Sequence, residues 1–559
     1  MPDSGAVSAT ASSGQASGQT VGSATDKASE RDEILNLADA VKRTARRSPQ
    51  SPALIGHAGT LTWGDVDSAV DRVAAQLARL DLPADRAPAR VAIALPNVAD
   101  FAFAFFGALR SGLVAVPVNP GYTVRELRHL LADSGASVLV ASGPTGEAVA
   151  QLQAELPALR HIYVSGGAPA AGVRPFQELI EPSDAAGLGL ERGATDDLAV
   201  LLYTSGTSGT PKGAMLTHRA LIANHRQLAQ VEPPIVGPGD VVLLALPFFH
   251  AFGLNSGLGA IAWHGACGVL VERFDPAETL ALVARHHVSV LTAVPQMYVA
   301  WSLVPGVGES MASVRVAVSG AAPLDAETAR RFLEASRHPV FEGYGLTETS
   351  PVVATALGSP VPKGGSIGRP LPEIEVRLVG EDGGEIARIG SSGLLTPLDD
   401  DFDDDAGGVP GTDPGEIVVH GANLFSGYWP DGAGGPDADG WWPTGDVAYA
   451  DADGDLFLVD RIGELILVSG FNVYPREVEL VLEAHPTVAE AAVTGMPNPY
   501  TGESVKAFVV PAGAAAVEDL MAHCERNLAR FKCPTVIEFV TELPRSAIGK
   551  VRKGSLRDG

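Results

Sequence analysis

The order of apolar segments between residues 35 and 230 restricts the fold more than any other feature of this chain. Short strand-like runs, such as RVAIALP from Arg90 and VLVAS from Val138, alternate with amphipathic helical patterns such as WGDVDSAVDRVAAQLARL from Trp63. DLAVLLY at 197–203 and a helical segment from His218 continue the pattern. Such alternation is typical of a mostly parallel sheet with helices on its faces. The sequence therefore predicts an α/β fold.

The pattern changes twice in the second half of the chain. After about Pro370, short β runs separated by Gly, Pro and Asp turns predict a small β subdomain. After Arg461, strand-like and helical segments alternate in a compact α+β unit of about 100 residues. We therefore predict a disordered tail at 1–32, a large domain of mostly parallel sheets at 33–460 and a small domain at 461–559.

Composition limits the partners of the chain. Its 559 residues carry a formal charge of −26, which argues against a general affinity for nucleic acid or anionic lipid. Three scattered cysteines, Cys267, Cys524 and Cys533, suit a reducing cytoplasm rather than a disulfide framework or a zinc site. The longest uncharged stretch, 241–271, contains Pro, His, Asn and five glycines, so we expect a buried strand, loop and helix there. Peripheral membrane contact and the oligomeric state stay open.

The segment YTSGTSGTPKGAMLTH at 203–218 contains four Thr, two Ser, three Gly, one Lys and no acid. We expect it to be a strand-to-helix loop at the carboxyl end of a parallel strand, where its N–H groups, hydroxyls and a helix dipole would hold phosphate. A Walker loop is excluded, because Pro211 stands where that motif needs Gly and Gly213 where it needs Ser or Thr. The residues alone leave phosphate binding and a plain flexible connection open.

The whole segment resembles the phosphate loop of the adenylate-forming (AMP-binding) superfamily, and further motifs follow in that family's order. They are SGAAPL at 319–324, EGYGLTET at 342–349, GSIGRP at 365–370, GEIVVHGANLFSGYW at 415–429, WWPTGD at 441–446, DADGDLFLVDR at 451–461, LVSGFNVYPREVE at 467–479 and PRSAIGK at 544–550. The resemblance spans roughly residues 35–557, and the LVSGFNVYP segment is closest to bacterial medium- and long-chain fatty acyl-CoA synthetases.

The resemblance implies a reaction that joins a carboxylate to the α-phosphate of ATP, releases pyrophosphate and passes the acyl group to CoA. It implies Mg²⁺ bound by Thr204 and Glu348, with Thr347 at the α-phosphate and Tyr344 against the adenine ring. By the same resemblance, the nucleotide site comprises Thr204, Ser205, Gly206, Thr207, Ser208, Gly209, Thr210, Lys212, Gly320, Ala321, Ala322, Glu342, Gly343, Tyr344, Gly345, Thr347, Asp446, Leu458 and Arg461.

Two of these residues, Asp446 and Arg461, match the family's ribose-binding pair. Lys550 matches the catalytic lysine that reaches the α-phosphate from the small domain, so closure must precede chemistry. The small domain then rotates, and Gly470 matches a glycine beside the channel for the CoA thiol. His250 matches the aromatic or His position beside the carboxylate. The acyl pocket is expected near 250–258, 297–301 and 350–354.

The sequence departs from the family in two places. Coumarate ligases and luciferases carry lysines where this chain has Gly463, Leu467 and Ser469, which puts the hinge position in doubt. An acidic insertion at about 387–414, in which six of the seven residues from Asp399 to Asp405 are Asp, is interpreted as a solvated, mobile surface loop. It does not have the glycine or the flanking helices of an EF-hand.

Four other functions compete with an acyl-CoA synthetase. Gly364 to Gly368 satisfy the G-x-S-x-G pattern of a serine hydrolase, but the strand before it and the helix after it are absent from the sequence pattern. A fatty acyl-AMP ligase that loads a carrier protein, an aryl-CoA ligase and a non-catalytic binding protein stay as alternatives. The sequence fixes neither the acyl chain length nor the thiol acceptor.

Overall fold

The computed structural model describes residues 34–83, 88–166, 171–182, 195–204, 211–380, 382–395, 411–461, 464, 466–468, 471–498, 501–528, 530–546, 549 and 551–557, with the backbone alone at 460, 461, 467, 471, 472 and 557. The predicted tail at 1–32 and the centre of the acidic insertion lie outside these residues. All that follows concerns the compact unit Leu35–Gly559.

A seven-stranded sheet is formed by the segments in which strands and helices were predicted to alternate. Its strands are parallel except for the last pair, and they lie in the order Arg174–Pro175, His161–Ser165, Val138–Ser142, Arg90–Ala94, Val114–Pro117, Leu198–Thr204 and Lys212–Thr217. The strand Arg90–Ala94 is completely buried, as expected for a strand with helices on both faces.

A second sheet has nine strands, of which those in the centre are parallel and those at the edges antiparallel. The order is Arg369–Pro370, Val352–Thr355, Val340–Gly345, Val316–Ser319, Val290–Ala293, Val241–Leu244, Cys267–Leu270, Pro52–Gly56 and Gly59–Thr62. The uncharged stretch 241–271 supplies two of these strands with helical turns between them, as predicted. Within the described part of the chain, no helix is both long and apolar enough to cross a bilayer.

Helices cover the faces of the two sheets. The one predicted from Trp63 spans Trp63–Leu77, where Thr62 and Asp65 form a reciprocal capping box at its start. The other α-helices before the β subdomain are Asp39–Arg47, Ala99–Arg110, Val124–Ser134, Gly143–Ala150, Gln177–Ile180, His218–Leu228, Ala260–His264, Pro276–His286, Pro295–Ser302, Val307–Ser310 and Ala326–Ser336. A π-helical turn at Phe252–Gly259 precedes the short helix Ala260–His264.

The predicted β subdomain is an antiparallel sheet of six strands. Their order is Gly393–Leu394, Glu385–Gly390, Glu375–Val379, Gly415–His420, Trp441–Ala450 and Leu456–Arg461. Strand Glu385–Gly390 pairs with Glu375–Val379 on one side and Gly393–Leu394 on the other. The first residues of the segment predicted as an acidic loop therefore belong to the sheet, while 396–410 lie outside the described residues.

The C-terminal segments form a separate five-stranded sheet with its own apolar core, as the α+β prediction requires. The strands Ile466–Val468, Phe471–Val473, Val488–Asn498, Gly502–Pro511 and Val536–Phe539 pack against the helices Pro475–Glu483 and Val517–Asn527, and a last helix spans Lys553–Arg557. Val473, Val478, Leu482, Val493 and Leu520 are completely buried in this core.

The prediction of a strand-to-helix loop at 203–218 was wrong in one respect. Strand Leu198–Thr204 is followed by an antiparallel partner, Lys212–Thr217, and the helix begins only at His218. Six strand residues separate the loop from that helix, a length of roughly 20 Å. The helix dipole therefore cannot act on a phosphate held by the loop, which closes a β-hairpin instead.

Candidate active site

One large cavity, about 1560 Å³ in volume, lies where strands of both parallel sheets end. Thr204 is the last residue of its strand, Gly320 directly follows Val316–Ser319, and Gly345 ends Val340–Gly345. All three residues line the cavity. This is the edge of an open α/β sheet at which ligands usually bind, because loops there are free to vary while the strands fix their ends.

Most predicted site residues that the structure describes line this cavity: Thr204, Lys212, His250, Gly320, Ala321, Gly343, Tyr344, Gly345, Thr347 and Glu348. Ala322, Glu342, Asp446 and Leu458 do not belong to its lining. Outside the described residues lie Ser205, Gly206, Thr207, Ser208, Gly209, Thr210, Gly470 and Lys550, together with the side chain of Arg461.

Asp446 is connected to the cavity through Tyr344. The Tyr344 hydroxyl donates a hydrogen bond of 2.6 Å to the Asp446 carboxylate, which is 5% exposed. Asp446 lies directly opposite Arg461 in the antiparallel pair Trp441–Ala450 and Leu456–Arg461. The two residues predicted to bind ribose are thus cross-strand partners, and the tyrosine predicted to face adenine stands beside one of them.

Glu348 has a second tyrosine as its partner. The Tyr428 hydroxyl donates a hydrogen bond of 2.7 Å to Glu348 Oε1, and the Lys212 ammonium lies 5.3 Å from the centre of the Tyr428 ring. Tyr428 also lines the cavity. Tyr428 lies in the segment GEIVVHGANLFSGYW, but nothing in the sequence indicates that it pairs with Glu348.

The backbone explains why Tyr428 reaches this position. The N–H of Trp429 donates to the carbonyl of Gly213 at 2.8 Å, and the N–H of Met215 donates to the carbonyl of Gly427 at 3.1 Å. The segment around Tyr428 therefore lies along the outer edge of the hairpin strand Lys212–Thr217. This pairing holds Tyr428 close to the strand that begins with Lys212.

Glu342 was predicted in the nucleotide site, but its carboxylate is used elsewhere. Its Oε2 accepts a hydrogen bond of 3.1 Å from the N–H of Leu324. Burial raises the pKa of Glu342 to about 7. Hydrogen bonds from backbone N–H groups lower the pKa, but by less than burial raises it. The residue fixes the loop after Val316–Ser319 to the next strand.

Gly345 is required by close packing. A Cβ atom at this position would lie 1.8 Å from the carbonyl oxygen of Pro351, so every side chain is excluded. A Cβ atom at Gly320 would lie 3.0 Å from the ring of Phe252, which is a tight but less severe contact. Because neither glycine has a side chain, backbone atoms form the cavity wall at both positions.

His250 stands in the cavity wall as a neutral imidazole. Burial lowers its pKa to about 4, and its ring lies 4.8 Å from that of Phe249. Residues 297–301, which were predicted near the acyl pocket, do not belong to the lining of this cavity, and Tyr298 and Trp301 are completely buried in the core beneath the nine-stranded sheet. The lining from the other two predicted segments consists of His250, Ala251, Phe252, Gly253, Ser256, Pro351 and Val352.

Residues on both sides of Lys550 enclose the same cavity from the C-terminal side. Ser546, Val551 and Arg552 belong to its lining, together with Glu464 and Lys553. The predicted catalytic lysine lies outside the described residues, but its chain neighbours are at the cavity. Its position stays a prediction.

Oxygen ligands for a metal ion were predicted at Thr204 and Glu348, and both residues line the cavity. A hydroxyl and a buried carboxylate are hard donors of the kind that suits Mg²⁺.

A cluster of three carboxylates outside the cavity lining is formed by Asp451, Asp453 and Asp455. The Lys363 ammonium lies 2.6, 2.7 and 2.8 Å from these carboxylates. The Lys363 ammonium thus already occupies the position between the three carboxylates, and Arg369 bonds Asp455 as well.

A cavity at the ends of two parallel sheets, with residues of an α+β segment in its lining, is the arrangement in which open α/β enzymes usually bind their ligands. The sequence model of the AMP-binding enzyme family matches residues 41–429, and that of the AMP-binding enzyme C-terminal domain matches 477–550. The chain belongs to the AMP-binding enzyme family.

Similar proteins extend over nearly the whole chain. A long-chain-fatty-acid–CoA ligase of Escherichia coli is 33% identical and covers 94% of this chain and 95% of its own length. A feruloyl-CoA synthase of an Amycolatopsis species is 36% identical, with 92% and 97% covered. The ATP-bound MatB of Rhodopseudomonas palustris superposes with a TM-score of 0.80 at 29% identity, over 94% of this chain and 99% of that one, and its apo form with 0.70.

Proposed function

We propose that this chain is an AMP-forming ligase that activates a fatty acid with ATP, releases pyrophosphate and transfers the acyl group to CoA. The observation that carries this proposal is the convergence of three groups on one cavity. They are Lys212 with Tyr428 and Glu348, Tyr344 with Asp446, and the segment on either side of Lys550. Family membership and the fatty acid ligases among its relatives support the same reaction.

The first half-reaction must bring a carboxylate close to a triphosphate, so charge repulsion is its main obstacle. Lys212, on the hairpin, binds the β- and γ-phosphates. It keeps its contacts with pyrophosphate until this product is released. Lys550 approaches the α-phosphate and the attacking carboxylate oxygen from the C-terminal side. Thr347 is a hydrogen-bond donor beside the α-phosphate. His250, which is neutral, packs beside the carboxylate without adding charge.

Asp446 binds the ribose hydroxyls, with its carboxylate oriented by the Tyr344 hydroxyl. Arg461 lies across the strand pair from Asp446 and completes this part of the site. Glu348 and Thr204 would hold Mg²⁺, which would supply positive charge for the phosphate oxygens. The Tyr428 hydroxyl fixes the direction of the Glu348 carboxylate, so the ligand is already oriented before the nucleotide arrives.

The arrangement of the C-terminal segment supports an adenylation-competent state. This chain superposes on ATP-bound MatB with a TM-score of 0.80 but on the apo form with only 0.70. Transfer to CoA then requires the small domain, with its boundary near 460 and 461, to rotate and bring Gly470 to the thiol channel. The separate apolar core of this segment supports its movement as a unit.

The lining of the cavity bears on which carboxylic acid is the substrate. The cavity wall formed by Ala251, Phe252, Gly253, Pro351 and Val352 carries no charged side chain, which suits an alkyl chain. The feruloyl-CoA synthase at 36% identity favours an aryl acid as the second candidate. We place the reaction in the cytoplasm, where Cys267, Cys524 and Cys533 stay as free thiols.

A panel of carboxylic acids decides among these substrates. We expect pyrophosphate release with medium- and long-chain fatty acids, followed by acyl-CoA formation when CoA is present. Turnover with ferulic or coumaric acid, but not with any fatty acid, would instead establish an aryl-CoA ligase. Pyrophosphate release without any acyl-CoA product would establish a carrier protein as the acceptor, and no release with any acid would reject the proposal.

A further inference from the structure

The residues on either side of Lys550 form a tight turn that is held by hydrogen bonds. Arg545 and Val551 pair as an isolated antiparallel bridge, and the N–H of Arg552 donates to the carbonyl of Pro544 at 2.7 Å. Arg545 Nη1 donates to the carbonyl of Gly549 at 2.8 Å, while its Nη2 bonds Glu490 at 2.8 Å. These bonds hold the described residues of this turn, 544–546, 549, 551 and 552, together within the C-terminal segment.

Gln296 connects the tip of this turn to the large part of the protein. Its side-chain Nε2 donates a hydrogen bond of 3.2 Å to the carbonyl of Gly549, the residue directly before Lys550. Gln296 lies in the first turn of the helix Pro295–Ser302, whose start follows the strand Val290–Ala293. The contact thus reaches the turn from the end of a central strand, which is a rigid support.

The two groups also fit closely in shape. Gly549 has a φ of +79°, and a Cβ atom there would lie 2.2 Å from Gln296 Oε1. Both the left-handed backbone and the lack of space favour glycine at this position. The Gly549 backbone therefore packs against the Gln296 amide, and the carbonyl of Gly549 accepts hydrogen bonds from both Gln296 and Arg545.

Arg552, two positions after Lys550, acts electrostatically on Glu126 of the large part of the protein. Hydrogen bonds from Thr123 lower the pKa of Glu126, and the positive charge of Arg552 lowers it further. Arg552 and Glu126 line the same face of the cavity, along with Tyr122. Gly549 therefore contacts the large part of the protein directly through Gln296, while Arg552 shares the cavity wall with Glu126.

We propose that Gln296 is a positioning residue for adenylation, which docks the Lys550 turn through the Gly549 carbonyl. This role rests on the proposed function, in which Lys550 acts at the α-phosphate. Gln296 Oε1 is buried without a hydrogen-bond partner among the described residues, so the docked state leaves one acceptor unpaired. An imperfect contact of this kind lets the turn leave again when the small domain rotates for thioester formation.

The test separates the two half-reactions. In Gln296→Leu, which keeps the approximate volume but removes the donor, we expect ATP–pyrophosphate exchange to fall roughly three- to tenfold, the size of one neutral hydrogen bond. Thioester formation from supplied acyl-AMP and CoA should stay within about twofold, because the turn is then undocked. Gln230→Leu is the matched control, since Gln230 is exposed and bonds Glu373 instead.

Gln296→Glu sharpens the test, because a carboxylate facing the Gly549 carbonyl repels it. We expect a larger loss of exchange than in Gln296→Leu and again an unchanged thioester step. Equal losses in both half-reactions would show a merely structural role and overturn the proposal, as would normal exchange in both variants. If the wild-type enzyme shows no exchange with any fatty acid, the proposed function fails, and the role of Gln296 fails with it.

Discussion

The Tyr428 hydroxyl donates a hydrogen bond of 2.7 Å to the carboxylate of Glu348, although 80 residues separate the two in the chain. Its ring also faces the ammonium of Lys212 at 5.3 Å. One side chain therefore touches both a predicted metal ligand and a predicted phosphate ligand. It connects two groups of opposite charge, the carboxylate proposed to hold Mg²⁺ and the ammonium proposed to bind the phosphates.

Tyr428→Phe removes the hydroxyl and keeps the ring beside Lys212. We expect pyrophosphate release to fall roughly five- to tenfold and the apparent KM for Mg²⁺ to rise, because the Glu348 carboxylate is no longer oriented. Titration of Mg²⁺ at saturating ATP measures both effects. Tyr449→Phe is the control, since Tyr449 does not line the cavity. Its ring stacks on that of Phe457, with 5.1 Å between the ring centres. An unchanged Mg²⁺ dependence in Tyr428→Phe would contradict the orienting role.

Tyr344→Phe tests the ribose site. The variant deprives the buried Asp446 carboxylate of a 2.6 Å hydrogen bond, and bonds to charged groups are worth about 1.5–3 kcal/mol. We expect the KM for ATP to rise at least tenfold, with a smaller change in kcat. Initial rates of pyrophosphate release at varied ATP provide the measurement. If kcat falls while the KM for ATP stays constant, Asp446 has a role other than holding the ribose.

Lys550→Ala tests the catalytic lysine. We expect acyl-adenylate formation to be lost, because no other group is proposed to reach the α-phosphate from the C-terminal side. Thioester formation from supplied acyl-AMP should continue. Exchange that survives within about tenfold, a loss of only about 1.4 kcal/mol, would show that the role assigned to Lys550 is wrong.

His218 makes stability sensitive to acid. Its Nδ1 accepts a hydrogen bond of 3.2 Å from the N–H of Leu37, and burial lowers its pKa to about 4 despite the opposing charges of Asp197 and Asp39. The unfolded chain, with a His pKa of about 6.5, binds more protons between these values. The contribution of His218 is therefore complete above about pH 6.5 and is lost as the pH falls towards 4.

The variant His218→Asn keeps an acceptor near the Leu37 N–H but does not titrate. We expect its unfolding free energy to fall less steeply with acid than that of the wild type, by up to about 1.4 kcal/mol per pH unit. Denaturant unfolding at pH 7, 6 and 5 measures the difference. Parallel curves for the two proteins would show that His218 does not control this dependence.

Lys363→Ala would leave three carboxylates without their shared ammonium. Asp455 and Asp451 have side chains only 2% and 8% exposed, so their charges are poorly solvated. Removal of the partner from a buried ion pair costs about 3–5 kcal/mol, although Arg369 still bonds Asp455 at 3.1 Å. We expect a clear drop in Tm by calorimetry. Lys42→Ala, at an exposed pair of 3.9 Å, should change Tm little.

The sequence predicted the parts of the fold that depend on local periodicity. The helix Trp63–Leu77 and the strands Arg90–Ala94 and Val138–Ser142 lie where the apolar spacing placed them. Strand Lys212–Thr217 was missed, because its pairing with Leu198–Thr204 depends on a partner and its short apolar run is continuous with the helical segment after it. Pairing between strands is a tertiary property that a single segment does not display.

The site shows the same division. Motifs identified Tyr344, Glu348 and Asp446, since each occupies a fixed place in a recognisable segment. Tyr428 and Gln296 could not be found in this way, because their partners lie 80 and 253 residues distant in the chain. Only folding brings a hydroxyl to Glu348 and an amide to Gly549.

The hairpin strands Leu198–Thr204 and Lys212–Thr217 are joined by residues 205–210, which we propose bind phosphate. Because no helix starts at their end, the length and composition of residues 205–210 can vary while both strands keep their register. If these residues bind the triphosphate as proposed, exchange of the six positions by loop grafting should change nucleotide affinity and the rate of pyrophosphate release while the sheet keeps its architecture.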